Sequence, residues 1–162
     1  MKFPNSQIFI NKLNNLFNIL LAIPLLLVGY GYLEISDGSW TALMEPTNAI
    51  VIGMSIVPAI LVMYLSLKFK SESRKLTIFD ELEKKMDSYY SLATFYYWSV
   101  FALSMMSAIL LYLFAHMAFA IVYAFILFWV SVFRPTIKSI ADLFGLKDEE
   151  KRKFLNKESL EE

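Results

Sequence analysis

The chain has 162 residues, of which 57% are hydrophobic and 16% aromatic, and its mean hydropathy is +0.52. Soluble domains are nearer to roughly 45–50% apolar, so the excess indicates that part of the chain is solvated by a bilayer. Fifteen basic residues balance fifteen acidic ones, which gives no basis for expecting a nucleic-acid partner. The absence of cysteine from the sequence excludes disulfides and thiolate metal sites.

Four apolar stretches are each long enough, at roughly 17–25 residues, to cross the hydrocarbon core of a membrane. They cover residues 16–33, 49–69, 92–115 and 117–133. The third and fourth adjoin at His116, where we predict a tight turn, because the combined stretch is far too long for one crossing. The predicted fold is an all-α integral membrane protein, with a four-helix transmembrane domain over 1–133 and a cytoplasmic amphipathic tail over 134–162.

The positions of the basic residues predict how these stretches are oriented. All fifteen lie before the first stretch, between the last two residues of the second stretch and the start of the third, or after the fourth. Lysine and arginine in short loops that flank a span stay on the cytoplasmic side. We therefore expect both termini and a loop over residues 70–91 to be cytoplasmic, in a multi-pass protein of a bacterial-type plasma membrane.

A proline lies near the middle of each of the first two stretches, Pro24 in one and Pro58 in the other. Proline removes a backbone hydrogen bond and clashes with the carbonyl four residues earlier, so we predict a kink in each helix. Kinks at matching depth would allow a hinge. Static kinks are the simpler interpretation, because prolines are common in membrane helices, where neighbouring helices satisfy the freed carbonyl.

The outer face is predicted to carry acidic groups. Glu34, Asp37 and Glu45 lie in the loop between the first two stretches, and His116 lies at the second outer turn. Carboxylate oxygens and an imidazole are suitable ligands for several divalent cations. Their spacing is not that of a metal site, however, so we interpret them as an acidic rim and expect no metal or cofactor.

The loop before the third stretch is predicted to be helical. Its apolar residues recur every three or four positions between Phe79 and Ala93, as in an amphipathic helix. Thr77 and Asp80 resemble a capping box at the start of that helix. We therefore expect one continuous helix from about Ile78 to Ala115, with its first turns projecting into the cytoplasm.

The tail contains two short predicted helices, in outline like a DNA-reading helix-turn-helix. Pro135 suits the first turn of one helix and Gly145 suits its end. The second helix starts with Glu149 and Glu150, where a DNA-reading helix would need basic residues. We therefore predict a face that docks on lipid, on a partner or on the stalk of the third helix, formed by Phe133, Arg134, Ile137, Lys138, Ile140 and Phe144.

The function that the sequence favours is association rather than catalysis. The interiors of the four stretches contain no Asp, Glu, Lys or Arg, which argues against a proton-coupled exporter. No histidine array, phosphate-binding glycine loop or serine elbow is present, so we expect no enzymatic activity. We expect an accessory subunit or regulator of a membrane complex, in contact with the bilayer and with a protein partner or a second copy. The alternative hypothesis is a small oligomeric channel or transporter for cations or small solutes.

Overall fold

The computed structural model describes residues 3, 5–79, 81–146 and 148–156, and this part of the chain is all-helical. It contains six α-helices and a short 3-10 helix that follows the second of them. The α-helices are α1 (Ser6–Ser36), α2 (Asn48–Lys75), α3 (Leu82–Phe114), α4 (Ala118–Ser131), α5 (Ile137–Leu143) and α6 (Asp148–Asn156), and the 3-10 helix is Leu76–Ile78. Helices α3 and α4 each pack against α1 and α2 as well as against each other.

Helices α1, α2 and α3 are each long and apolar enough to cross a membrane, which indicates a membrane protein. Their outward faces expose large apolar side chains, whose exposure is unfavourable in water but favourable in lipid. We call this surface the apolar belt. It consists of the exposed large hydrophobic residues within 19–33, 50–67, 95–109 and 121–132.

Helix α4 is shorter than the predicted fourth span over 117–133. Its 14 residues rise about 21 Å at 1.5 Å per residue, which is less than the roughly 30 Å of a hydrocarbon core. Ala115, directly after α3, has a left-handed backbone (φ 44°) that separates α3 from α4. At its other end the helix stops before Arg134, because Pro135 disfavours a helical conformation in the residue before it.

Helix α3 begins later than expected. The prediction of one continuous helix from Ile78 is wrong, because the backbone is extended at Phe79 (ψ 135°) and Glu81 (ψ 124°) and α3 starts only at Leu82. Helix α2 in turn continues to Lys75, past residue 69 where the second apolar stretch ends. The Thr77 hydroxyl donates to the Arg74 carbonyl at 3.0 Å, whereas Asp80 lies outside the described residues.

Helix α1 begins well before its apolar stretch. The Asn5 side chain accepts a hydrogen bond from the Ile8 amide (2.9 Å) and so caps the first turn. Phe9, Leu13 and Phe17 recur every four residues and are buried. They belong to the same hydrophobic cluster as the first turns of α3 and the tail helices. We call the region formed by the start of α1, the first turns of α3, and α5 and α6 the tail end.

Both kink candidates lie inside uninterrupted helices and are buried. Beside Pro24, the Tyr123 hydroxyl of α4 donates to the Leu21 carbonyl at 3.0 Å. A proline weakens the backbone hydrogen bonds of the turn before it, and hydroxyls of neighbouring helices can satisfy the carbonyls concerned. Tyr123 therefore adds a hydrogen-bond donor to α1 in the turn before Pro24, at the carbonyl next to that of Leu20, which the proline leaves without its helical donor.

We expect Tyr123→Phe to lower the free energy of unfolding by about 0.5–1.5 kcal/mol, because a buried carbonyl loses its added donor while the ring still packs. Denaturant unfolding in one detergent would measure the change. Tyr64→Phe is the matched control, since Tyr64 is 60% exposed in the apolar belt, and it should leave the stability unchanged. Equal losses for the two variants would contradict the role given to Tyr123.

Candidate docking surface at the tail end

The acidic rim is not gathered into one site. Within the described residues, no group of three or more histidine or acidic side chains could hold a metal ion. The His116 Nδ1 atom accepts a hydrogen bond from the Ala118 amide (3.2 Å) and so supports the first turn of α4. The Glu34 carbonyl accepts from the Ser39 and Trp40 amides and thereby ends α1. These bonds give His116 and the Glu34 backbone a role in shaping the turns.

The loop between α1 and α2 closes the exposed end of α3. The last carbonyls of a helix have no partner within the helix, and here those of Tyr112 and Leu113 are satisfied by the loop. Trp40 Nε1 donates to the Tyr112 carbonyl (2.8 Å), and the Leu43 and Met44 amides donate to the Leu113 carbonyl (3.0 and 3.2 Å). This role of Trp40 was not predicted from the sequence, where the available signal is a lone tryptophan in a polar loop.

The apolar stripe of the tail is covered by the chain itself. Ile140 and Phe144 are 1% and 0% exposed, and Phe133 and Ile137 are partly buried against the same cluster. The Phe144 ring lies 6.5 Å from Phe9 of α1 and 5.8 Å from Tyr89 of α3, measured between ring centroids. Of the six residues predicted to dock, Arg134 and Lys138 are the exposed ones.

Polar contacts connect the tail to α1 and α3, and connect its two helices to each other. The Lys85 ammonium donates to the Phe144 carbonyl at the end of α5 (3.0 Å), and the Ser6 hydroxyl donates to the Phe154 carbonyl of α6 (2.6 Å). Lys151 of α6 pairs with Asp142 of α5 at 2.7 Å. The hydrogen bond from the Lys151 ammonium holds the pKa of the Asp142 carboxyl below its usual value, so this carboxylate stays ionised at neutral pH.

A basic groove lies beside the tail, with a volume of about 620 Å³. The buried rings of Phe69 and Tyr89 line its floor. The exposed side chains of Lys70, Arg74 and Arg134 line it as well. Its walls come from the end of α2, the first turns of α3, the segment after α4, and α5. The further lining residues are Ser73, Thr77, Val132, Phe133, Pro135, Ser139, Asp142 and Leu143.

An apolar knob projects at the connection between the 3-10 helix and α3. Ile78 is 79% exposed and Phe79 is 41% exposed, although both are large hydrophobic residues outside the apolar belt. The spacing of apolar residues predicted Phe79 on the apolar face of a helix, and the break in the helix accounts for the difference. We call Ile78 and Phe79 the apolar knob.

Charged residues surround the apolar knob on both sides in sequence. Lys75 pairs with Glu72 at 2.6 Å, and Lys84 pairs with Glu81 at 3.0 Å. These exposed pairs contribute little to stability, because water screens them. They do place both signs of charge around an apolar centre, which is the usual layout of a protein-binding surface.

Comparison with known proteins adds no family to this description. No protein-family model, no curated protein and no solved structure matches the chain.

Proposed function

We propose that this chain is a non-catalytic multi-pass membrane protein that acts by association, as an accessory subunit or regulator bound to a different protein of a membrane complex. In this proposal the chain crosses the membrane four times, with both termini and the tail end in the cytoplasm. The basic residues described at the tail end and the positive-inside rule support that orientation.

Contacts between the tail and α3 support the fourth crossing. The tail packs on the first turns of α3, since Phe144 lies 5.8 Å from Tyr89, so the chain returns to that side after α3. Phe133, just after α4, lies 6.5 Å from Tyr96 of α3. From Tyr96 to Phe114, α3 rises about 27 Å at 1.5 Å per residue, so the return segment covers a similar height. A short α4 with a turn at each end therefore suffices, aided by local thinning of the bilayer.

The observation that carries the association proposal is the apolar knob. Large exposed apolar side chains on an otherwise charged surface indicate an interaction site. Lipid is one conceivable partner for such residues. The position of the knob along the chain argues against it.

The knob is too far from the apolar belt to rest in the membrane. Leu67 is the last belt residue of α2, and the path from it to Ile78 follows helical backbone. At 1.5 Å per residue to Lys75 and about 2.0 Å per residue in the 3-10 helix, this path rises about 18 Å. The headgroup layer is only about 5–8 Å thick on each side. An apolar segment of a cytoplasmic or cytoplasm-facing protein is therefore the expected occupant.

Site-specific photocrosslinking tests the proposal in native membranes. We expect a photoreactive residue at Ile78 to form one discrete protein adduct, whose identity mass spectrometry would give. The same residue at Ile8 is the matched control, because Ile8 is 38% exposed at the tail end but lies on α1. No adduct of that mass is expected there.

A reciprocal measurement then uses the identified partner. The tagged partner should recover the unmodified chain, and Ile78→Glu combined with Phe79→Glu should reduce recovery by roughly 30-fold, because buried apolar anchors dominate such interfaces. Adducts to lipid alone would contradict the proposal. An adduct to a second copy would replace the accessory-subunit interpretation with a homo-oligomer.

A further inference from the structure

We propose that the basic groove binds a phosphate group, and that an anionic membrane lipid supplies it. This site is separate from the apolar knob, and it neither requires nor replaces the protein partner proposed above. The inference rests on the charge of the groove, on the chemistry of its donors and on its height relative to the apolar belt.

The groove has unbalanced positive charge. Lys70, Arg74 and Arg134 line it, and within the described chain none of them has a carboxylate at ion-pair distance. Asp142 is the one carboxylate among the described lining residues, and Lys151 already pairs with it. An anion that enters the groove therefore meets three uncompensated cations and one neutralised carboxylate.

The types of donor in the groove favour phosphate over other anions. A guanidinium presents parallel N–H groups that match two phosphate oxygens, and two arginines together can contact both sides of one phosphate. Here Arg74 comes from α2 and Arg134 from the segment after α4, so they approach from different walls. The exposed hydroxyl of Ser139 on α5 offers a further donor beside them. The volume of about 620 Å³ lies within the roughly 300–1,000 Å³ typical of small-molecule sites.

The height of the groove indicates a lipid headgroup. Lys70 follows Leu67, the last belt residue of α2, by about 5 Å along the helix axis, which is within the headgroup layer. Arg74 follows by about 10 Å, just beyond that layer, and its long side chain can extend back towards it. Val132, just after α4, also lines the groove and is 72% exposed as the last residue of the apolar belt. The groove therefore joins an apolar surface at one edge to basic side chains at the other, as a phospholipid joins acyl chains to a phosphate.

The test uses the full-length protein in a neutral detergent, with native mass spectrometry as the readout. We expect short-chain phosphatidic acid to bind in preference to short-chain phosphatidylcholine, whose choline cation the groove repels. Arg74→Gln combined with Arg134→Gln should weaken phosphatidic acid binding by roughly tenfold or more. Asp142→Asn should strengthen it, because the groove loses its carboxylate.

The matched control removes the same number of charges from the same end of the molecule. Lys68→Gln combined with Lys84→Gln changes two exposed lysines that do not line the groove. This double variant should weaken phosphatidic acid binding by less than about threefold. Circular dichroism checks that both double variants keep their helices. Equal losses in the two double variants, or no preference for phosphatidic acid, would overturn the site.

A second arm separates lipid phosphate from free phosphate. Inorganic phosphate is added to the wild-type protein with bound phosphatidic acid. Unchanged lipid binding supports the lipid as the source. Displacement of the lipid, together with inorganic phosphate binding that needs Arg74 and Arg134, would overturn the lipid assignment in favour of a free phosphate ligand.

Discussion

Phe144→Ala is expected to lower the free energy of unfolding by roughly 3–5 kcal/mol and to release the tail from the helices beneath it. Phe144 is fully buried and its ring contacts α1, α3 and α6 through Phe9, Tyr89 and Phe154. In our proposed topology the tail end stands in water, so burial there gains the full hydrophobic effect. Burial inside the membrane gains much less, because lipid is as apolar as the protein interior.

Two measurements on the Phe144 variant separate stability from local release. Denaturant unfolding in a fixed detergent gives the change in stability, and limited proteolysis reports whether the tail has become accessible. Phe128→Ala is the matched control, since Phe128 is 72% exposed in the apolar belt. This variant should change little in its free energy of unfolding or in its resistance to protease. A Phe144 variant whose tail resists protease as well as the wild type would show that α5 is held by other contacts.

The long helices could be predicted because membrane crossing imposes a long apolar run, which composition alone reveals. The sequence also contained a signal for the early start of α1. Phe9, Leu13 and Phe17 are spaced four apart, but polar asparagines between them hide the helical stripe from a hydropathy average. The length of α4 could not be obtained from composition, because Ala115 and Pro135 set its ends through backbone conformation rather than polarity.

The surfaces were harder to predict than the helices, because periodicity identifies a face but not what covers it. The stripe containing Ile140 and Phe144 was compatible with lipid or with the α3 stalk, and the aromatic contacts to Phe9 and Tyr89 favour the latter. Phe79 fitted a helical pattern of apolar residues. The helix is interrupted there, because the backbone is extended on either side of Asp80. The basic groove brings Arg74 and Arg134 together from distant parts of the sequence, and no local pattern encodes that meeting.

Thiol labelling is expected to separate four exposed positions into two groups without overlap. The native chain has no cysteine, so every introduced thiol is the sole reactive one. We expect Asp37→Cys and His116→Cys to react with an impermeant maleimide added outside intact cells. Lys84→Cys and Arg152→Cys should react only after the membrane is opened. All four positions are exposed, so differences in burial do not account for the contrast.

Arg152 is the informative position, because it follows α4. If α4 did not cross, Arg152 would lie outside with His116, while Lys84 at the other end of α3 would remain inside. The tail contact argues against that outcome, since Phe144 cannot lie 5.8 Å from Tyr89 with the bilayer between them. Labelling of Arg152→Cys from outside would therefore refute both the fourth crossing and the packing of the tail on α3. Protection of Arg152→Cys together with labelling of His116→Cys would require the 14-residue α4 and its flanking turns to cross the membrane.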